Sequence, residues 1–70
     1  MIKIGQIYKH KYSPEMICIT YIEEGNIRVI RPDGKVYTHF TEQDIDFWWN
    51  KIYEYPTWNE AVNNEEFRHG

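Results

Sequence analysis

The sequence predicts a single α+β domain spanning residues 1–70. An antiparallel three-stranded meander, extended by a short N-terminal strand or arm, is packed by one main helix and a short C-terminal helix. Three observations carry this. Residues 16–40 fall into three runs rich in β-branched and aromatic residues, separated by two turn signals. At Phe40 the apolar spacing changes from two to ~3.6. Two threonines, Thr41 and Thr57, then stand where N-caps belong.

Ile2, Ile4 and the Ile7-Tyr8 pair around Gly5 suggest the first strand, which ends near the polar stretch His10 to Glu15. Met16 to Ile22 form the next run, broken by Glu24-Gly25-Asn26, where Gly and Asn accept the backbone of a tight hairpin. Ile27 to Arg31 follow. Pro32-Asp33-Gly34 closes a second turn, because proline fixes φ and glycine accepts the bend. Lys35 to Phe40 then alternate, with Val36, Thr38 and Phe40 on one side and Lys35, Tyr37 and His39 on the other. Thr41 as N-cap with Asp44 three residues on, and Phe40 stapled to Ile45, open the main helix. Ile45, Trp48, Trp49 and Ile52 form its apolar stripe, and Pro56 stops it, which predicts a helix over about 42–54. Trp48, near the centre of the stripe, is expected to be more deeply buried than Tyr53. Thr57-Trp-Asn-Glu60 is a second capping box, opening a helix from Trp58 to about Glu66.

A chain this short has a thin core and usually needs a disulfide, a metal or a second copy. Cys18 is the only cysteine and lies in the apolar run Met16-Ile17-Cys18-Ile19, so no disulfide forms within one chain and a reducing compartment fits. After Met1 the chain reads Ile-Lys-Ile-Gly-Gln, without the pattern of a secretory signal, and no apolar run could span a bilayer; the expected location is the cytoplasm, away from membranes. Twelve aromatic residues supply core area and are equally suited to an interface. Charge is unevenly spread: residues 1–40 carry six Lys/Arg against four acids, and residues 41–70 carry two against seven. Such a division can favour head-to-tail or crosswise self-association, or reflect only which half is helical.

Chemistry finds little support. His10, His39, His69 and Cys18 do not lie at metal-ligand spacing, so no metal or cofactor is expected. Glu42 and Asp46 stand four residues apart on the main helix, where acids in a first turn serve the helix dipole. Cys18 lacks the electropositive, accessible setting of a nucleophile. No phosphate loop, nucleophile elbow or dinucleotide fingerprint is present, and the expectation is a protein that is not an enzyme.

Two surfaces remain. At 100° per residue Phe47 falls about 200° from Ile45, on the back of the helix, while Trp49 and Tyr53 lie at the edge of the apolar arc. Phe47, Trp49 and Tyr53 are therefore the candidate contacts of a homodimer or of a host or phage partner protein. The alternative is a single-stranded nucleic-acid platform of Arg28, Arg31, Lys35 and Tyr37, since basic residues interleaved with aromatics on a small sheet bind single strands. The acidity of the whole chain counts against it.

From Gly5-Gln-Ile-Tyr8 through Phe47-Trp-Trp49 to Trp58-Asn-Glu-Ala61 the layout resembles the small prophage-encoded proteins of Bacillus, in particular the family named YopT. The resemblance implies a homodimer of subunits with three strands and a helix, and no established activity. It offers no catalytic or binding residues to carry over, and a second helix departs from it. The sequence-level expectation is a non-enzymatic homodimeric accessory protein of a prophage or mobile element.

Overall fold

The meander forms over the predicted residues, and it is part of a larger sheet. The computed structural model describes residues 1–69. In chain order the elements are β1 (Gln6–His10), β2 (Met16–Glu23), β3 (Asn26–Ile30), β4 (Val36–Phe40), α1 (Glu42–Trp48), β5 (Trp49–Glu54), α2 (Trp58–Val62) and α3 (Glu65–His69). The class is α+β. The five strands lie in the order β4-β3-β2-β1-β5, and every neighbouring pair is antiparallel.

The main helix is half as long as its pattern predicts. Residues 42–48 are helical, but 49–54 form β5. Both N-caps hold: Thr41 Oγ1 accepts from the Asp44 N–H at 3.1 Å, and Thr57 Oγ1 accepts from the Glu60 N–H at 3.3 Å. The helix ends at Trp49, whose backbone is extended (φ −129, ψ 148) while its N–H still donates to the Ile45 carbonyl. Beyond that point Trp49, Ile52 and Tyr53 suit a strand at least as well as a helix. The exposed edge of β1 decides between the two. Pairing from His10↔Trp49 to Gln6↔Glu54 satisfies backbone groups that a longer helix would leave open. One bulge absorbs the mismatch and turns Ile52 outward.

This junction also reverses the expected roles of the paired tryptophans. Trp48 ends the helix and Trp49 begins the strand, so their side chains part. Trp49 is 7% exposed in the core, while Trp48 is 43% exposed and lies further out than the half-buried Tyr53. The C-terminal helix is likewise divided. Asn63 caps α2, and the Asn64 side chain accepts from the Phe67 N–H at 3.0 Å, starting α3 afresh.

Successive residues of β1 and β2 point to opposite faces of the sheet, giving two cores. Tyr8, Ile17, Ile19, Val29 and Trp49 pack with Ile45 of α1 on one face, and Phe40 closes against them as the predicted staple. Ile7, Met16 and Cys18 pack under Ala61 of α2 and Phe67 of α3 on the other. Burial pushes the Cys18 thiol up to about 12, so it is a neutral apolar filler at neutral pH.

Gly5 fixes where the N-terminal arm meets this sheet. Its φ is +95, its N–H donates to the Ile19 carbonyl at 2.9 Å, and its carbonyl accepts from the Tyr55 N–H at 3.0 Å. A Cβ here would fall inside the van der Waals shell of the Tyr55 carbonyl oxygen. Next to it Gln6, 2% exposed, is fully used: Oε1 accepts from the Lys3 N–H and the Tyr8 hydroxyl, and Nε2 donates to Met1 O and Glu54 Oε1.

Gly5→Ala combines a forbidden φ with a backbone clash and should cost about 3 kcal/mol, read as a drop in the urea midpoint. Trp49→Ala should cost about 3–5 kcal/mol, whereas Trp48→Ala should cost about 1 kcal/mol or less. Equal losses at the two tryptophans would contradict the helix-to-strand junction.

Candidate interaction surface

The helix-to-strand junction and the loop between β1 and β2 meet at one end of the sheet. Lys11 N–H donates to the Trp48 carbonyl at 2.8 Å, and Lys11 Nζ lies 3.4 Å from the Asp46 carbonyl oxygen. These bonds bring Tyr12 beside Trp48, with ring centroids 6.1 Å apart at 74°. Phe47 meets Trp48 edge-on at 4.7 Å. His10 lies nearly parallel to Trp48 at 6.1 Å and edge-on to Trp49 at 4.9 Å. Its Nδ1 accepts from the Tyr12 N–H at 3.1 Å, which places the proton of the neutral ring on Nε2.

The result is an aromatic ledge of Tyr12, Phe47 and Trp48, exposed by 78%, 65% and 43%, resting on His10 and the buried Trp49. Two clefts of about 500 Å³ flank Trp48. One lies between β4, α1 and β5 and is lined by His10, His39, Phe40, Asp44, Trp48 and Trp49, among others. The other is lined by Gln43, Asp44, Asp46, Phe47 and Trp48. His39 enters the first cleft from the bulge of β4, with a left-handed φ of 71. Among the described residues no group of three or more His, Cys, Asp or Glu gathers as a metal site.

Of the predicted contacts, Phe47 faces solvent as its helical angle requires. Trp49 lies in the core, and Tyr53 is on the opposite face, its hydroxyl donating to Glu66 at 2.6 Å. The structure therefore does not bring Phe47, Trp49 and Tyr53 together on one surface. Trp48 and Tyr12 take the places beside Phe47. Tyr12 was hidden from periodicity because it joins the ledge through a loop.

The predicted basic platform is also divided. Arg28 shares a face with Ile30, Val36 and Trp58, and its guanidinium lies 5.3 Å from the Tyr21 ring. Arg31 and Tyr37 alternate to the other face, where Arg31 stacks on Tyr37 at 4.9 Å. Arg31 is further engaged by Glu15, Nη1 to Oε2 at 2.8 Å. Lys35 sits at the β3–β4 turn, its N–H donating to Asp33.

The Arg31 hydrogen bond holds the Glu15 carboxyl below its ordinary value of 4.5. A carboxylate lowered by folding contributes stability above its unfolded value and loses it as pH falls through the folded value. Glu15→Gln should thus leave a shallower fall in melting temperature below about pH 4.5 than the natural chain shows. Identical acid limbs would remove the pair from the stability of the loop.

Among the described residues no helix is long and apolar enough to cross a membrane. Compared with family models, with curated proteins and with solved structures, the chain matches none.

Proposed function

We propose that this chain is a non-enzymatic interaction module, a homodimeric accessory protein that pairs with its own copy through the ledge of Tyr12, Phe47 and Trp48. The observation that carries the reading is the exposure, side by side, of three large aromatics from two separate segments. Isolated exposed aromatics are ordinary, but a contiguous stack is a costly surface to leave in water and is the composition of interface centres. A thin core on each sheet face gives a second copy something further to stabilise. The resemblance to the YopT family points the same way, and with it a cytoplasmic, prophage-encoded setting.

A single-stranded nucleic-acid platform finds less support, because Arg28 and Arg31 lie on opposite faces and Arg31 is already neutralised.

Sedimentation velocity tests the proposal. The natural chain should be mostly dimeric at ~100 μM, a concentration at which a micromolar interface is largely occupied. Phe47→Asp should raise the dissociation constant at least about tenfold while leaving the urea midpoint of the monomer nearly unchanged. A natural chain that sediments as a monomer at this concentration overturns the pairing. A dimer insensitive to Phe47→Asp moves the pairing to another surface.

A further inference from the structure

The cleft on the inner side of Trp48 gathers more aromatic side chains than the hollow on its outer side. His10, His39, Phe40, Trp48 and Trp49 give it mostly aromatic walls, and Thr38 and Asp44 complete the lining. Asp44 also borders the second cleft together with Asp46, so the indole of Trp48 divides two hollows that both carry a carboxylate. Glu42, Asp44 and Asp46 are all exposed. The ion pairs among the described residues are Arg31–Glu15 and Lys51–Glu54, so none of the three carboxylates of α1 is in one. The Lys11 ammonium lies against the Asp46 carbonyl oxygen rather than a carboxylate.

An aromatic wall and an uncompensated carboxylate select for the same ligand. A cation over an indole face is attracted by the ring quadrupole, and the attraction grows as water is excluded. A carboxylate beside it adds Coulomb energy and, for a guanidinium, a two-point hydrogen bond. A phosphate backbone meets the reverse: bases could stack on Trp48, but the polyanion would lie against unpaired carboxylates. A cleft of about 500 Å³ accommodates one long side chain with its flanking backbone.

We propose that the cleft between β4, α1 and β5 receives an arginine or lysine side chain of a partner protein, its cationic head between the Trp48 indole and the Asp44 carboxylate. The site goes beyond self-pairing. Trp48 belongs to both surfaces, with Tyr12 and Phe47 on the ledge and with Phe40 and Trp49 in the cleft. Titration is therefore run on Phe47→Asp as well as on the natural chain, so that the two readings fail separately, one in sedimentation and the other in ligand titration.

The test is heteronuclear NMR on the ¹⁵N-labelled chain, titrated with an acetylated, amidated peptide Gly-Arg-Gly-Gly-Arg-Gly. Three controls run beside it: the same peptide with citrulline for arginine, the same with glutamate, and a short oligo-deoxythymidine. The arginine peptide should move the Trp48 indole N–H and the Asp44 amide in a saturable way and leave the Trp58 indole N–H in place. Citrulline, which keeps the shape and removes the charge, should bind at least about tenfold more weakly. Asp44→Asn with Asp46→Asn should weaken the arginine peptide by a similar factor in a chain whose spectrum stays dispersed. The citrulline comparison decides the matter if that variant does not fold. Absence of any Trp48 shift with the arginine peptide overturns the proposal. Equal response to citrulline shows an aromatic cleft without charge selection and overturns it too, as does a stronger response to the oligonucleotide.

Discussion

Gly5 is the point on which the rest of the molecule turns. It touches three parts of the chain at once: its own strand begins after it, its N–H is held by Ile19 in β2, and its carbonyl holds Tyr55 just past β5. No side chain fits between it and the Tyr55 backbone. The close approach sets the angle of the N-terminal arm, which lets Ile2 reach the α1-side core and lets Gln6 tie Met1, Lys3, Tyr8 and Glu54 together. Gln6 is buried and polar, a combination that is stable only when every donor and acceptor is used, and the pinch at Gly5 is what brings its partners within reach.

From that fixed point the sheet acquires two covered faces. A chain of this size cannot enclose one generous core, and here it makes two thin ones that share the same strands. Ile7 and Tyr8, or Ile17 and Cys18, are neighbours in sequence but belong to different cores. Packing on one side therefore fixes the pleat for the other, which gives a small sheet a defined register.

The parts legible in the sequence are those set by local rules. Turn residues and alternation gave the meander, and a threonine three residues before an acidic residue located both helix starts. The pattern over 42–54 points to a helix because Ile45, Trp48, Trp49 and Ile52 satisfy a helical stripe, while Trp49, Ile52 and Tyr53 also suit the strand they form. The choice is made by the edge of β1, about forty positions away, and local periodicity carries no trace of it. The same junction explains the site. Phe47 was legible as an outward residue because it is truly helical, whereas Trp49 and Tyr53 were assigned angles on a helix they do not occupy. Tyr12 came to the ledge through a loop, and Arg28 and Arg31 parted because three positions along a strand change the face. Side-chain composition suggested a surface; only the register shows which residues share it.

The strand order has a consequence for how the protein comes into being. β1 is made first, yet it lies inside the sheet, between β2 and a strand made more than forty residues later; Gln6 and Glu54, which hydrogen-bond across this pair, are forty-eight positions apart. During synthesis the meander can assemble as it leaves the ribosome, while the outer side of β1 stays open until the C-terminal segment follows. The closing contact is thus among the most non-local in the chain, where loop-closure entropy is largest. For that interval the nascent chain presents an unpaired strand flanked by apolar side chains, the form most prone to pair with a neighbour. The last strand pairs the open side of β1 and becomes, with β4, one of the two edges of the finished sheet.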